Sequence, residues 1–266
     1  GDQDKDGKDD IDEFLNEFSL SPADTGRLIN VEDELTPPFE LKEFEQYFLS
    51  LKDGFPTTAQ MSEKAREIDL LINNRNYEII SNPDKKIINW SEIEYKLFKY
   101  IENAYYLKTY NSGFSTIDEF LKAANSLLQR RKSRAGKSLE HHLSFIFTQN
   151  KLKFDEQPKT EGNKKPDFVF PGISEYFDPS FPQEQLYFLA AKTTCKDRWR
   201  QILNEADKIP VKHLFTLQQG ISGQQLVEMQ KSDVVLVVPE SNLNAFPNVH
   251  RASILTLKKF IKKVKN

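Results

Sequence analysis

The sequence predicts an α/β protein, a central mixed β-sheet flanked by helices and preceded by a helical N-terminal region. Three observations predict it. The runs Phe168-Val169-Phe170 and Leu186-Tyr187-Phe188-Leu189-Ala190-Ala191 are short and apolar throughout, the pattern of strands covered on both faces. Residues 92–107 instead carry Tyr95, Leu97, Phe98, Tyr100 and Ile101 at helical spacing. From residue 186 onward the order strand, helix, strand, helix, strand implies a mostly parallel second half of the sheet, because a parallel neighbour needs a crossover.

The elements follow in order. Residues 1–54 read as an acidic linker or small helical extension. Within them a short amphipathic helix spans 39–51, set off by Thr36-Pro37-Pro38 and ended near Asp53-Gly54. Residues 55–130 read as helical. Thr57 or Thr58 caps a helix containing 61–71, and Asn82-Pro83-Asp84 makes a turn before the helix at 92–107. Asn111-Ser112-Gly113 separates that helix from one over 116–130, whose side carries Phe120, Leu121, Ala124 and Leu127. The aromatic stripes of this region are ordinary core or a surface that meets a second copy.

The composition changes near residue 130, and 131–266 reads as the core that holds the sheet. Arg130-Arg131-Lys132-Ser133-Arg134-Ala135-Gly136-Lys137 reads as a basic loop before a helix over 138–147. A charge run of this kind is usually a solvated face. Its small residues would also let the backbone come close to a phosphate, with arginine and lysine as counter-charge. Residues 150–157 are a strand or hairpin arm, and 166–171 and 186–193 are central strands. The segment after Arg198 reads as a helix. Strands over 211–217 and 234–238 enclose a helix over 222–229, and an amphipathic helix with a basic outer face closes the chain at 257–264.

A length of 266 residues suits one large domain or one and a half ordinary ones. Twenty Phe against two Met predict an aromatic core. The net charge of -3 means that any nucleic-acid footprint is local. Cys195 alone excludes an internal disulfide framework and fits a reducing, cytoplasmic compartment. It is read as a buried structural thiol and not a nucleophile, since no histidine lies near it in the chain. The four histidines lack the spacing of zinc ligands. No apolar stretch approaches the ~18 residues of a membrane helix, and no signal peptide is evident. Near the start, Asp2, Asp4, Asp6, Asp10 and Glu13 match the oxygen-ligand spacing of a Ca2+ loop, with a glycine at the sixth position. The incoming helix of such a motif is absent, and an acidic flexible linker is the plainer reading.

The chemistry centres on Lys192, which ends its apolar run, and Asp167, which opens the preceding one. Strand ends in one sheet can bring the two to a common edge. Glu205 follows on the expected helix, where Arg198, Ile202, Glu205 and Ile209 share a face. Two carboxylates could hold a hard divalent cation, and a lysine could orient or help deprotonate water. That is the arrangement of PD-(D/E)xK metal-dependent phosphodiesterases. The bare pattern recurs by chance, and the same residues could be a turn aspartate and a surface lysine. Glu140, on the helix after the basic run, is a further acid or a surface glutamate.

Four longer words make the resemblance specific: RRKSRAGKSLEHH at 130–142, EGNKKPDFVFP at 161–171, AAKTTCKDRWRQILNEADK at 190–208 and HLFTLQQGIS at 213–222. Together they resemble the C-terminal catalytic domain of EcoRII-type restriction endonucleases, over roughly residues 55–265. The resemblance implies a restriction-endonuclease-like sheet and a type II, Mg2+-dependent enzyme acting as a homodimer on double-stranded DNA. It implies a CC(W/N)GG-like site cut before the first C, a prokaryotic cytoplasm, and a cognate DNA methyltransferase that protects host sites.

Carried onto this chain, Asp167 and Glu205 are the metal carboxylates, Lys192 the catalytic lysine and Glu140 a supporting acid. Tyr176 matches a tyrosine kept close to the active site. Lys196, Asp197 and Arg198 read the outer G:C pairs, which suits guanine acceptors and the cytosine amino group. Arg130, Arg131, Lys132, Arg134 and Lys137 are expected at the DNA backbone, and Gln60 or Met61 near the central base pair. Residues 55–130 become a DNA-binding and dimerisation region, and 131–266 the catalytic core. The alternatives are a repair or junction nuclease of the same fold, and a non-catalytic DNA-binding module.

Overall fold

A strand whose every residue is apolar needs cover on both faces, and the sheet supplies it. The computed structural model describes residues 37–52 and 54–266, with backbone only at 108–110, 132, 135, 196 and 197. The helices are α1 (Pro38–Ser50), α2 (Thr58–Asn73), α3 (Glu78–Ser81), α4 (Pro83–Ser112) and α5 (Ile117–Gln149) before the sheet. Then come β1 (Asp155–Glu156), β2 (Phe168–Phe170), α6 (Ile173–Phe177), β3 (Tyr187–Ala191) and a 3₁₀ segment, Lys196–Asn204. The chain continues through β4 (Lys212–Phe215), α7 (Gly223–Lys231), β5 (Val234–Val238), α8 (Asn248–Arg251), β6 (Leu255–Thr256) and α9 (Leu257–Lys265).

The strands lie in sequence order, β1-β2-β3-β4-β5-β6. The first two pairings are antiparallel and the last three parallel. This is the mixed sheet with a parallel second half that the element order predicts. Side chains alternate between two cores. Val169, Phe188, Ala190, Leu214 and Leu236 pack on one face with Cys195, Trp199, Ile202 and Ile209. Phe168, Phe170, Leu189, Phe215 and Val237 pack on the other with Phe147 of α5 and Phe260 of α9. Phe147 meets Phe168 and Phe170 edge-on, at centroid distances of 5.3 and 5.2 Å. The aromatic core expected from the composition is this cluster.

The described chain divides into two compact units. One comprises residues up to Ile68 and Ile93–Ser138, the other Asp69–Glu92 and Leu139–Asn266. The first is helical, with a core of Phe44, Met61, Ile68, Leu97, Phe98 and Ile101. The second holds the sheet. Its deepest ion pair joins Lys86 to Asp69 at 2.6 Å, and the same carboxylate accepts from the Trp90 indole at 2.8 Å. A buried charge pair persists only with such full satisfaction. Asp84 caps α9 by accepting from the backbone N–H groups of Leu257 and Lys258.

Three local readings are corrected. The turn expected at Asn82-Pro83-Asp84 is the start of α4, because proline at a first helical position gives up a donor that would have no partner there. The basic run forms no loop: α5 continues through it as one helix of 33 residues. Its arginines, lysines and alanine favour a helix, and the lone Gly136 costs only about 1 kcal/mol relative to alanine. Lastly, the segment after Arg198 is a 3₁₀ segment that ends at Asn204, so Glu205 sits beyond it in extended backbone (φ -99°, ψ 144°) and not on a helix face.

His213 of β4 gives a pH-dependent stability. Its Nδ1 lies 3.2 Å from the Phe188 carbonyl oxygen, and its Nε2 is buried without a partner. Burial, with Lys263 nearby, lowers its pKa from 6.5 to about 4. Between these values the unfolded chain binds more protons than the folded one. The stabilisation is therefore complete above about pH 6.5 and is lost as pH falls toward 4. At pH 5 the loss is about 2 kcal/mol. Urea unfolding at pH 7.5 and pH 5 checks this. The parent should lose more stability than His213→Phe by about that amount, and equal losses would remove His213 as the cause.

Candidate active site

The antiparallel pairing of β2 with β3 sets the start of one beside the end of the other, with Phe168 opposite Leu189. Asp167 immediately precedes β2 and Lys192 immediately follows β3, so both project at one end of the sheet. The Asp167 Oδ2 accepts from the Ala191 backbone N–H at 2.8 Å and from Lys192 Nζ at 2.9 Å. Lys192 is held in turn through its backbone N–H, which donates to the Phe215 carbonyl of β4 at 3.0 Å. The ion pair is partly buried, with the aspartate side chain 9% and the lysine 22% exposed. A turn aspartate and an unrelated surface lysine are thereby excluded.

Glu205 joins them electrostatically. Burial raises its pKa above the ordinary value; Lys192 lowers it and Asp167 raises it. Its Oε2 is buried and has no hydrogen-bond partner. A partnerless carboxylate oxygen, next to a second carboxylate, is a donor set suited to a hard cation such as Mg2+. The residues therefore fit a divalent metal. Among the described residues, no group of three or more His, Cys, Asp or Glu side chains is placed to hold one. The Ca2+ spacing at Asp2, Asp4, Asp6, Asp10 and Glu13 lies outside the described residues.

Glu140 is linked to this end of the sheet through Gln157. The Gln157 amide donates to Glu140 at 2.7 Å, and its backbone N–H donates to the Asp167 carbonyl at 3.0 Å. Tyr176 is tied elsewhere. Its hydroxyl donates to Glu161 at 2.6 Å and accepts from the Lys208 backbone N–H at 3.0 Å. Burial and Glu161 raise its pKa. Tyr176 thus braces the turn after Glu205 and does not bond to Asp167 or Lys192.

The triplet expected to read bases, Lys196, Asp197 and Arg198, begins the 3₁₀ segment. Cys195, Trp199 and Ile202 are buried, which turns Arg198 to solvent. The Cys195 backbone N–H donates to Gln218 Oε1. Burial pushes the Cys195 thiol up to about 12, which makes it an inert core group as expected.

The other expected contacts lie in the helical unit. Arg131 donates to both carboxylate oxygens of Glu102. Arg134 lies over the Phe98 ring at 4.7 Å, and Arg130 over Phe55 at 4.3 Å. Phe55, Met61, Phe98, Arg130 and Arg134 line a cavity of about 220 Å³. Gln60 completes a capping box with Thr57, accepting from its backbone N–H at 2.9 Å. Met61 is a core residue, 1% exposed, and not a surface probe: its place on the inner face of α2 packs it in the unit's core.

Comparison with known proteins now decides the family. The EcoRII C-terminal family model matches residues 98–261. The chain belongs to the EcoRII C-terminal family. A relative, the type II restriction enzyme EcoRII of Escherichia coli, is 52% identical over 181 residues. That match takes in 68% of this chain and 45% of the relative, so the chain spans less than half the relative's length. Among solved structures, metal-depleted Ecl18kI in complex with uncleaved, modified DNA aligns with TM-score 0.66 and 20% identity, over 85% of this chain and 82% of that one. The restriction endonuclease PspGI–substrate DNA complex aligns with TM-score 0.62 and 15% identity, over 79% and 92%. These likenesses show the restriction-endonuclease fold.

The sequence points to Asp167, Lys192 and Glu205 but not to Gln157, Gln218 and Lys212, which bond to the same segments. Only Lys212 left a signal, as a charge inside the apolar run Val211-Lys212-His213-Leu214-Phe215. Its Nζ is buried and donates to the carbonyls of Glu205 and Ala206. Burial lowers its pKa to about 8.

Because the fold disfavours the ionised Glu205 side chain, Glu205→Gln should stabilise the metal-free protein while weakening divalent-ion binding. The melting temperature of the metal-free variant should lie above that of the parent. Calorimetry with chelator tests it, and a lower melting temperature in the variant would refute the account of Glu205.

Proposed function

We propose that the chain is the catalytic part of a type II restriction endonuclease that hydrolyses duplex DNA at a CC(W/N)GG-like site, cutting before the first C. The observation that carries the reading is the joining of Asp167, Lys192 and Glu205 at one sheet end, in a chain of the EcoRII C-terminal family. A divalent cation, Mg2+ in this proposal, would be held by Asp167 and Glu205 and would supply charge neutralisation at the phosphate and a more acidic water.

The protein's own groups do the rest. Asp167 holds the Lys192 ammonium where the sheet ends, ready to donate to a phosphate oxygen or to orient the attacking water. Water adds to phosphorus, the bond to the 3′ oxygen breaks, and that oxygen leaves with a proton. Glu140, through Gln157, keeps the Asp167 backbone in register. Lys196, Asp197 and Arg198 read the outer G:C pairs a few residues from Lys192, so base recognition and the scissile phosphate share one short segment. The basic run of α5 supplies phosphate contacts, with Arg131 and Arg134 excepted because Glu102 and Glu94 already pair with their guanidinium groups.

A site with two-fold symmetry and two scissile phosphates asks for a homodimer. A methyltransferase of matching specificity would protect host DNA in the same prokaryotic cytoplasm. A repair or junction nuclease would instead lack sequence preference. Sequencing the fragment ends of a genome digested with Mg2+ distinguishes the readings. Ends beginning with CC are expected, whereas unrelated ends would overturn the specificity and uncut DNA the activity.

The residue roles separate in binding. Lys192→Ala and Asp167→Ala should abolish cleavage yet retain binding to the specific duplex in Ca2+. Arg198→Ala should lower discrimination at an outer G:C pair by about 1–3 kcal/mol. Gel-shift competition with singly altered duplexes measures this, and an equal loss of binding in all three variants would contradict the division.

A further inference from the structure

Lys212 is the first residue of β4, with the Lys212 side chain directed to the core face that holds Tyr176, Ile202 and Ile209. It is 4% exposed. A buried ammonium needs partners, and Lys212 has no carboxylate among its hydrogen-bond acceptors. Its Nζ donates to the Glu205 carbonyl and, at 2.6 Å, to the Ala206 carbonyl, and lies 5.3 Å from the centre of the Phe188 ring. The two carbonyls belong to a turn in which Ala206 takes a positive φ of 48°, a conformation that needs outside support in a residue other than glycine.

The same turn is gripped from its other end. The Tyr176 hydroxyl accepts from the Lys208 backbone N–H, and the Lys208 Nζ donates back to the carbonyls of Tyr176 and Asp178 at 2.8 and 2.9 Å. The Glu205 side chain leaves from this turn, with its partnerless Oε2 directed into the protein. No hydrogen bond to that oxygen holds it there. Its position is set by its backbone.

We propose that Lys212, assisted by Tyr176, is a positioning residue that fixes the Glu205–Lys208 turn and so keeps the Glu205 carboxylate beside Asp167 and Lys192 for divalent-ion binding. The proposal rests on the nuclease reading above. It gives a buried cation a role in a cation-binding site, acting through two carbonyls instead of through charge at the metal.

The test is Mn2+ titration calorimetry of the full chain, alongside specific-duplex binding in chelator. Lys212→Met keeps an unbranched side chain, one atom shorter, and removes its donors. It should weaken Mn2+ binding by about 10–100-fold, as loss of an outer support does at metal sites, with metal-free DNA binding unchanged. Lys212→Arg, which restores donors, should recover most of the affinity, and cleavage by Lys212→Met should return at raised Mn2+. Tyr176→Phe keeps the ring and loses the bonds to Lys208 and Glu161; it should weaken Mn2+ binding in the same direction and decides the matter if Lys212→Met does not fold. Parent-like Mn2+ affinity in the folded variants overturns the proposal. A parent protein that neither binds Mn2+ nor cuts DNA overturns the nuclease reading instead.

Discussion

The Asp167 carboxylate is the joint on which the rest of the site depends. One oxygen accepts from the last backbone N–H of β3 and from the ammonium of the next residue. The joint exists because β2 and β3 are antiparallel while β3 to β6 are parallel. In an all-parallel sheet the start of one strand and the end of its neighbour lie at opposite ends. The reversal at β2 is therefore what lets a residue before one strand meet a residue after the next.

The segment that follows Lys192 is tied to the end of β4. Lys192 is tied to β4 through the Phe215 carbonyl, and Gln218, just past β4, accepts from Cys195 at the head of the 3₁₀ segment. Thr216 adds a bond to the Thr193 carbonyl at 3.2 Å. The four residues from Lys192 to Cys195 are thus held by the end of β4 along their length. Trp199, buried behind them, turns Arg198 outward. A displacement of Arg198 would pass to Lys192 along backbone that is hydrogen-bonded at several points.

What the sequence made legible follows from what burial imposes on composition. Strands covered on both faces must be apolar at every position, so β3 and β5 stood out as runs, and a charge ending such a run, Lys192, stood out with them. The long helices were legible in kind but not in extent. α5 was split at its basic run because Gly136 and the serines look like a loop, whereas the pairing of Arg131 with Glu102 joins residues far apart in the chain. Glu205 is legible as a candidate carboxylate, but its extended backbone is not. Its neighbours have helical spacing, and the extended backbone after Asn204 is secured by Lys212 and Tyr176, which local pattern does not register. Gln157 was invisible for a similar reason. It acts through one backbone bond and one side-chain bond to residues on either side of it in the sequence.

The two lysines around Glu205 show how a protein can place a carboxylate it does not itself neutralise. Lys192 lowers the pKa of Glu205, but burial and Asp167 raise it further than the lysines compensate. Lys212 is buried nearby, and its hydrogen bonds go to the peptide carbonyls. Had Lys212 reached the carboxylate, the pair would have been satisfied internally, and a cation would have had to displace an ammonium in order to bind. With the ammonium on the carbonyls, the backbone is held while one carboxylate oxygen stays without a hydrogen-bond partner. Burial disfavours the ionised form of Glu205, while the turn that carries it is held from both ends, by Lys212 on its carbonyls and by Tyr176 on the Lys208 N–H.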